Sequence, residues 1–155
     1  MSVELGKAIP KFTIPATGEQ DISPQQYKGK WLIIYFYPKD NTPGCTTEGK
    51  DFRDYYAEFE KLNAVVLGVS RDSVKVHTNF KAKHEFPFEL LADQEEQLCQ
   101  LFDVIKEKNM YGRKVMGIER STFLIDPKGK LAAEWRKVKV KGHVEAVLAT
   151  LKELN

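Results

Sequence analysis

The sequence predicts an α/β fold in which helices cover both faces of a central mixed sheet. Two apolar runs rich in aromatic and β-branched residues, 31–37 and 64–70, are each followed by a stretch with helical spacing. This strand–helix–strand–helix order requires right-handed crossovers and hence a parallel core. Near the end of the chain, segments 121–126 and 131–135 flank a turn that contains Pro127 and Gly129, which predicts an antiparallel hairpin.

The strands are expected as follows. Residues 12–14 pair with the segment near Ile22 as a small N-terminal hairpin. The run 31–37, bounded by Gly29 and Pro38, suits a central strand buried on both faces, and 64–70 suits its neighbour. A short edge-like strand is expected at 88–91.

The helices are expected from apolar spacing and from capping residues. One runs from Thr46 to about Asn63, and a second spans 73–85 after the capping pair Asp72 and Ser73. Two further helices are expected at 95–102 and 142–154. The polar run 106–114 is interpreted as a loop.

Composition narrows the class of protein. At 155 residues the chain has the length of a single domain, 1–155. Its 24 basic and 22 acidic residues leave a net charge of +2, which gives no footprint for nucleic acid or an acidic membrane surface. Residues 1–7 lack the apolar core of a signal peptide, and no apolar run is long enough to span a membrane.

The two cysteines, Cys45 and Cys99, are separated by 53 residues. Two such cysteines form neither a disulfide framework nor a tetrahedral metal site. His77, His84 and His143 show no spacing that makes a metal site or a Cys-His dyad, so solvated or capping roles are expected for them. Free thiols persist mainly in reducing compartments, so we expect a cytoplasmic protein.

The segment 35–48 carries the strongest chemical signal. An apolar run ends at a prolyl turn and delivers Cys45 to the start of a helix, where unpaired N–H groups and the helix dipole favour the thiolate. Thr42 stands where a dithiol oxidoreductase would carry its other cysteine, and it cannot close a disulfide. The pattern therefore predicts a cysteine that attacks a small molecule.

Pro38, Thr42 and Cys45 match the pattern Pro-x-x-x-Thr-x-x-Cys, and Arg120 opens a later strand within the matching segment 117–126. With these motifs the chain resembles the peroxiredoxins, and among them the bacterioferritin-comigratory-protein or PrxQ group, over essentially its whole length. The resemblance implies a thioredoxin-like fold of AhpC/TSA type. It also implies an antioxidant enzyme that reduces hydrogen peroxide and organic hydroperoxides with a peroxidatic cysteine and neither metal nor organic cofactor.

Displacement at a peroxide oxygen needs an ionised sulfur in line with the O–O bond and donors for the charge in the transition state. The residues that can meet these needs are Cys45 as the sulfur, Thr42 as a hydroxyl partner, the N–H groups of Gly44 and Cys45 as donors, Arg120 as a fixed cation and Pro38 as a roof against water. By resemblance, Glu48 is expected to orient Arg120.

The chain departs from the group in its resolving cysteine. Its usual positions for a resolving cysteine fall here on Lys50 and near Lys81, which leaves Cys99 as the internal candidate. Burial of Cys99 as a small hydrophobe is the favoured interpretation. We therefore expect a one-cysteine cycle in which an external thiol such as thioredoxin or glutaredoxin reduces the sulfenic acid, with a two-cysteine cycle through Cys99 as the alternative.

Two other functions compete with a thiol peroxidase. A thioredoxin-fold binding or chaperone module with an inert Cys45 is one, and a disulfide reductase, against which Thr42 argues, is the other. Nothing in the sequence demands an assembly, and the group is often monomeric, so a monomer is expected.

Overall fold

The computed structural model describes residues 3–155; Met1 and Ser2, the first residues of the segment predicted to lack a signal peptide, lie outside the described residues. The strands in this part of the chain are β1 Ile14–Ala16, β2 Gln20–Ile22, β3 Trp31–Phe36, β4 Ala64–Ser70, β5 Glu89–Ala92, β6 Ile105–Met110, β7 Arg113–Ile118, β8 Ser121–Ile125 and β9 Leu131–Trp135. The α-helices are α1 Pro43–Asp54, α2 Tyr56–Lys61, α3 Val74–His84, α4 Gln97–Leu101 and α5 His143–Leu154.

The main sheet has the strand order β2-β1-β5-β4-β3-β8-β9. Strand β4 pairs in parallel with both β3 and β5, whereas β8 and β9 are antiparallel, so the sheet is mixed as predicted. The N-terminal hairpin is confirmed, with Ile14 opposite Ile22. The expectation that the strand near 88–91 lies at an edge was wrong, because the N-terminal hairpin pairs with β5 on its outer side.

Alternation along β3 divides the core between the two faces of the sheet. Leu32, Ile34 and Phe36 belong to one apolar cluster, which β1, β2 and α4 complete. Ile33 and Tyr35 belong to the other cluster, which α1, α2, α3 and α5 cover. All six residues of β3 are buried, which confirms the prediction of a central strand with no exposed face.

The helix predicted from Thr46 to Asn63 begins earlier and is broken once. Pro43 occupies its first turn, where a missing N–H costs nothing. At Tyr55 the backbone adopts φ −96° and ψ 3°, and α2 begins at the next residue. Phe52 and Phe59 stay on the buried side across the break because this backbone conformation is still right-handed.

The loop predicted at 106–114 is instead a hairpin, β6–β7. Its strands pair from Ile105 with Ile118 to Met110 with Arg113. The connecting residues Tyr111 and Gly112 have φ values of 53° and 78°, which is the positive-φ pair of a tight hairpin turn. Backbone pairing holds this hairpin with little help from burial, so apolar alternation gives no sign of it.

Within residues 3–155, no helix has both the length and the apolar character needed to cross a membrane.

Candidate active site

The connection from β3 to α1 places Cys45 in the first turn of a helix. Thr42 is the residue before the helix, in extended conformation, and Pro43 follows it. The N–H of Thr46 donates to the carbonyl of Thr42 at 2.9 Å. The N–H groups of Gly44 and Cys45 come before this first helical hydrogen bond and have no partner within the helix. They are therefore available to donate hydrogen bonds to an anion.

A guanidinium lies beside the cysteine sulfur. Arg120, in the short connection between β7 and β8, places Nη2 at 3.5 Å from Sγ of Cys45, which is 2% exposed. Burial opposes the charge of Arg120, but Glu48 and Cys45 outweigh it and raise the pKa of Arg120 above its ordinary value. A permanent cation therefore contacts the sulfur inside the protein.

Glu48 holds the other side of that guanidinium. Its Oε1 accepts from Nη1 of Arg120 at 2.6 Å, so the contact expected from the resemblance is present. Glu48 is completely buried, and burial raises the pKa of its carboxyl to about 7 even though Arg120 acts in the opposite direction. Its Oε2 has no hydrogen-bond partner among the described residues.

Gly44 contributes through the space that its missing side chain leaves. A Cβ at this position would lie 3.1 Å from Nη2 of Arg120. Any side chain here would press on the guanidinium that contacts Cys45. The sequence pointed to the N–H of Gly44 but not to this steric requirement, which needs the position of Arg120.

Thr42 and Pro38 lie on the loop that leads to Cys45. The hydroxyl of Thr42 donates to the carbonyl of Lys39 at 2.7 Å, so its oxygen lone pairs are left to accept from a ligand. Pro38 is half-buried at the bend directly after β3 and Tyr37. The structure thus gathers Thr42, Cys45, Glu48 and Arg120 around one helix start, with Pro38 on the same loop.

Cys99 belongs to the opposite side of the sheet. It is completely buried among the cluster that contains Phe36 and Phe102, whereas Cys45 belongs to the cluster that contains Tyr35 and Phe52. Burial and the neighbouring Asp93 carboxylate raise the pKa of Cys99 far above its ordinary value. The prediction that Cys99 is a buried small residue is confirmed.

The expectation of solvated or capping histidines was wrong for His77 and His143. His143 is buried at the start of α5, its Nε2 2.8 Å from the hydroxyl oxygen of Thr122, and burial together with Arg120 lowers its pKa to about 4. His77 is completely buried against Asp40. A single polar residue in a helix carries no sequence signal for burial, because its partner comes from a distant segment.

Asp40, Asp72 and His77 form a compact group that sequence reasoning missed. Their potential metal-ligand atoms lie within 4.8 Å of one another. Hydrogen bonds account for this proximity, since Asp40 contacts His77 through its side chain and Asp72 through its backbone. The one available hint was that Asp40 lies within the segment 35–48.

A thioredoxin-like fold with a buried cysteine at a helix start, whose sulfur contacts an arginine guanidinium, has the arrangement of a thiol peroxidase. The AhpC/TSA family model matches residues 5–134. Peroxiredoxin Bcp of Xanthomonas campestris is 57% identical over 150 residues, which cover 97% of this chain and 94% of that protein. Peroxiredoxin Bcp of Bacillus subtilis is 51% identical over 155 residues, with coverage of 100% and 99%.

Among solved structures, the bacterioferritin comigratory protein of Xanthomonas campestris matches with a TM-score of 0.89 and 53% identity, covering 95% of this chain and 98% of that one. That protein was solved in trapped intermediate and ligand complexes that concern its alkyl peroxide reduction activity. The present chain belongs to the AhpC/TSA family, among the Bcp or PrxQ peroxiredoxins. It is a thiol-dependent peroxidase, which uses a thiol reductant to reduce a peroxide.

Proposed function

We propose that this chain reduces hydrogen peroxide and alkyl hydroperoxides in a cycle that uses Cys45 alone, with an external thiol as the source of electrons. The observation that carries the proposal is the contact of 3.5 Å between Arg120 Nη2 and the buried Sγ of Cys45 at the start of α1. The alkyl peroxide reduction activity of the Xanthomonas campestris protein supports the choice of substrate.

In the first step the Cys45 thiolate attacks the terminal oxygen of the hydroperoxide. The S–O bond forms as the O–O bond breaks, the sulfur is oxidised to sulfenic acid, and the alkoxide or hydroxide leaves and takes up a proton as alcohol or water. Thr42 accepts a hydrogen bond from the substrate O–H, because its own proton is directed to Lys39. Arg120 and the N–H groups of the first helical turn stabilise the charge that spreads over both oxygens.

In the second step a thiol attacks the sulfenic acid of Cys45, which forms a mixed disulfide and releases water. A second thiol then attacks the mixed disulfide, so Cys45 is released as a thiolate and the reductant becomes a disulfide. Thioredoxin or glutaredoxin carries suitable thiols. Both cysteines of the chain are free, which supports a reducing compartment such as the cytoplasm.

Peroxide consumption by the reduced protein tests the proposal. We expect stopped-flow mixing with hydrogen peroxide to show a fast oxidation that Cys45→Ser abolishes and Cys99→Ala preserves. Equal and slow consumption by the wild type and Cys45→Ser would show that the thiol of Cys45 is not the nucleophile. A thioredoxin and thioredoxin reductase system with NADPH then tests whether turnover continues beyond one equivalent.

A further inference from the structure

The loop between β3 and α1 is fastened at its centre by Asp40. This residue is 3% exposed. Its Oδ1 accepts from the hydroxyl of Tyr37 at 2.6 Å, and its Oδ2 lies 2.6 Å from Nδ1 of His77. Its backbone N–H donates to Oδ2 of Asp72 at 2.9 Å. Both the side chain and the backbone of one loop residue are therefore fixed.

His77 connects Asp40 to the body of the protein. It is completely buried on α3, and its Nε2 lies 2.9 Å from the carbonyl oxygen of Leu91 on β5. A carbonyl only accepts, so Nε2 carries a hydrogen and donates. Nδ1 then shares one proton with the carboxyl of Asp40. The loop is thus held to the sheet through Asp40, His77 and Leu91.

Asp40 lies midway between Pro38 and Thr42. Asn41, which follows it, has a φ of 63°, in the left-handed region that asparagine tolerates. This turn brings the hydroxyl of Thr42 back to the carbonyl of Lys39. Without the hydrogen bonds of Asp40, the backbone torsions between β3 and α1 would have more freedom. Thr42 would then lose its fixed position relative to Cys45.

We propose that Asp40, held by His77, is a positioning residue for the peroxidase reaction, which rests on the function proposed above. Displacement at a peroxide oxygen needs the substrate aligned with the sulfur, and a misplacement of about 1 Å can cost on the order of 100-fold in rate. Alkylation of the same sulfur by iodoacetamide does not use the hydroxyl of Thr42. Loosening the loop therefore slows the peroxide reaction selectively.

Two substitutions at one position separate geometry from charge. Asp40→Ala removes both side-chain contacts, and we expect the second-order rate with hydrogen peroxide to fall about 10- to 100-fold. Alkylation by iodoacetamide should stay within about threefold of the wild type, since the sulfur itself is unchanged. Asp40→Asn can accept from Tyr37 and donate to Nδ1 of a neutral His77, so it should restore the peroxide rate to within about fivefold.

Thr17→Ala is the matched control. The hydroxyl of buried Thr17 donates to Oε1 of Glu89 at 2.6 Å next to the β1–β2 turn. Its loss removes this bond and the one that the hydroxyl accepts from the N–H of Leu90 at 3.0 Å, three strands away from β3. It should lower stability without changing the ratio of peroxide to alkylation rates. A ratio in Asp40→Ala equal to that in Thr17→Ala overturns the proposal, as does an Asp40→Asn variant as slow as Asp40→Ala.

Tyr37→Phe covers the case in which Asp40→Ala does not fold. It removes the donor to Oδ1 of Asp40 with little change of volume, and a selective loss of about three- to tenfold in the peroxide rate is expected. Equal losses in both rates would overturn the positioning role. A wild type that reacts with hydrogen peroxide no faster than Cys45→Ser would contradict the proposed function. A reactive wild type whose peroxide rate is equalled by that of Asp40→Ala would contradict only the role of Asp40.

Discussion

Arg120 contacts two partners at once, the carboxyl group of Glu48 and the sulfur of Cys45. A planar guanidinium can donate along two edges, which a lysine ammonium cannot reproduce with the same geometry. Because Glu48 is completely buried, its carboxyl fixes the direction of the guanidinium from the protein interior. The side chain of Arg120 keeps 16% exposure, which leaves an edge accessible to a ligand.

The buried carboxyl of Glu48 also makes the stability of the protein depend on pH. Its pKa is about 7 in the folded chain against an ordinary value of 4.5. Between these values the folded state retains a proton that the unfolded state has released, so the free energy of unfolding falls as pH rises through this window. The loss attributable to Glu48 is on the order of 3 kcal/mol at most.

Glu48→Gln removes this contribution, since glutamine keeps the volume and one acceptor for Arg120 but does not titrate. In urea unfolding at pH 5 and pH 8, we expect the wild type to lose more stability than Glu48→Gln over this range. Glu153→Gln, at an exposed position of α5, provides the control and should follow the wild type. Parallel pH profiles for the wild type and Glu48→Gln would contradict the assignment.

At the scale of the element, the position of α1 is set by close packing one turn beyond Cys45. Gly49 is buried, and a Cβ there would lie 2.5 Å from Cζ of Phe86. Phe86 stacks on Phe88 with ring centroids 5.1 Å apart, so its ring has little room to withdraw. The helix that carries Cys45 therefore needs glycine here for contact rather than for backbone freedom.

Gly49→Ala should destabilise the fold by about 1–3 kcal/mol, because overpacking outweighs the gain of about 1 kcal/mol in helix propensity. Since Cys45 lies one turn away, the peroxide rate should fall as well. Thermal and urea unfolding measure the first effect, and stopped-flow oxidation measures the second. In the double variant with Phe86→Leu the added methyl group should cost less, and strict additivity of the two changes would rule out the steric contact.

Sequence patterns predicted the elements whose backbones are buried and missed those held by backbone pairing alone. Strands β3 and β4 appear as unbroken apolar runs because both faces of the sheet are covered. The β6–β7 hairpin has exposed residues from Tyr111 to Met116. Its sequence therefore shows neither the apolar alternation of a half-buried strand nor the apolar spacing of an amphipathic helix. Its one local sign was the two-residue turn of Tyr111 and Gly112.

Sequence patterns likewise predicted some contacts of the candidate site and missed others. Glu48 and Arg120 are 72 residues apart, and only the resemblance to a family pattern paired them before the structure. The pairing of Asp40 with His77, 37 residues apart, had no such guide, and the solvated or capping role expected for His77 was wrong. Propensity and periodicity are local, whereas a buried polar pair is determined by the tertiary fold.

At the scale of the whole molecule, the main sheet separates the two thiols. Cys45 packs with the cluster under α1 and α5, and Cys99 packs with the cluster on the other face. A disulfide requires Cβ atoms about 3.5–4.5 Å apart, which two residues on opposite faces cannot reach while the sheet between them is intact. The thiol of Cys99 is also held protonated by burial and by Asp93.

The sulfenic acid of Cys45 should therefore outlast the first turnover when no external thiol is present. After one equivalent of hydrogen peroxide, intact-mass spectrometry should show the addition of one oxygen to the chain rather than the loss of two hydrogens, and further peroxide should convert the sulfenic acid to sulfinic acid. Cys99→Ala is the matched variant, and its oxidation products should be identical. A Cys45–Cys99 disulfide in the wild type, absent from Cys99→Ala, would mean that the sheet opens during the cycle and that the chain resolves its own sulfenic acid.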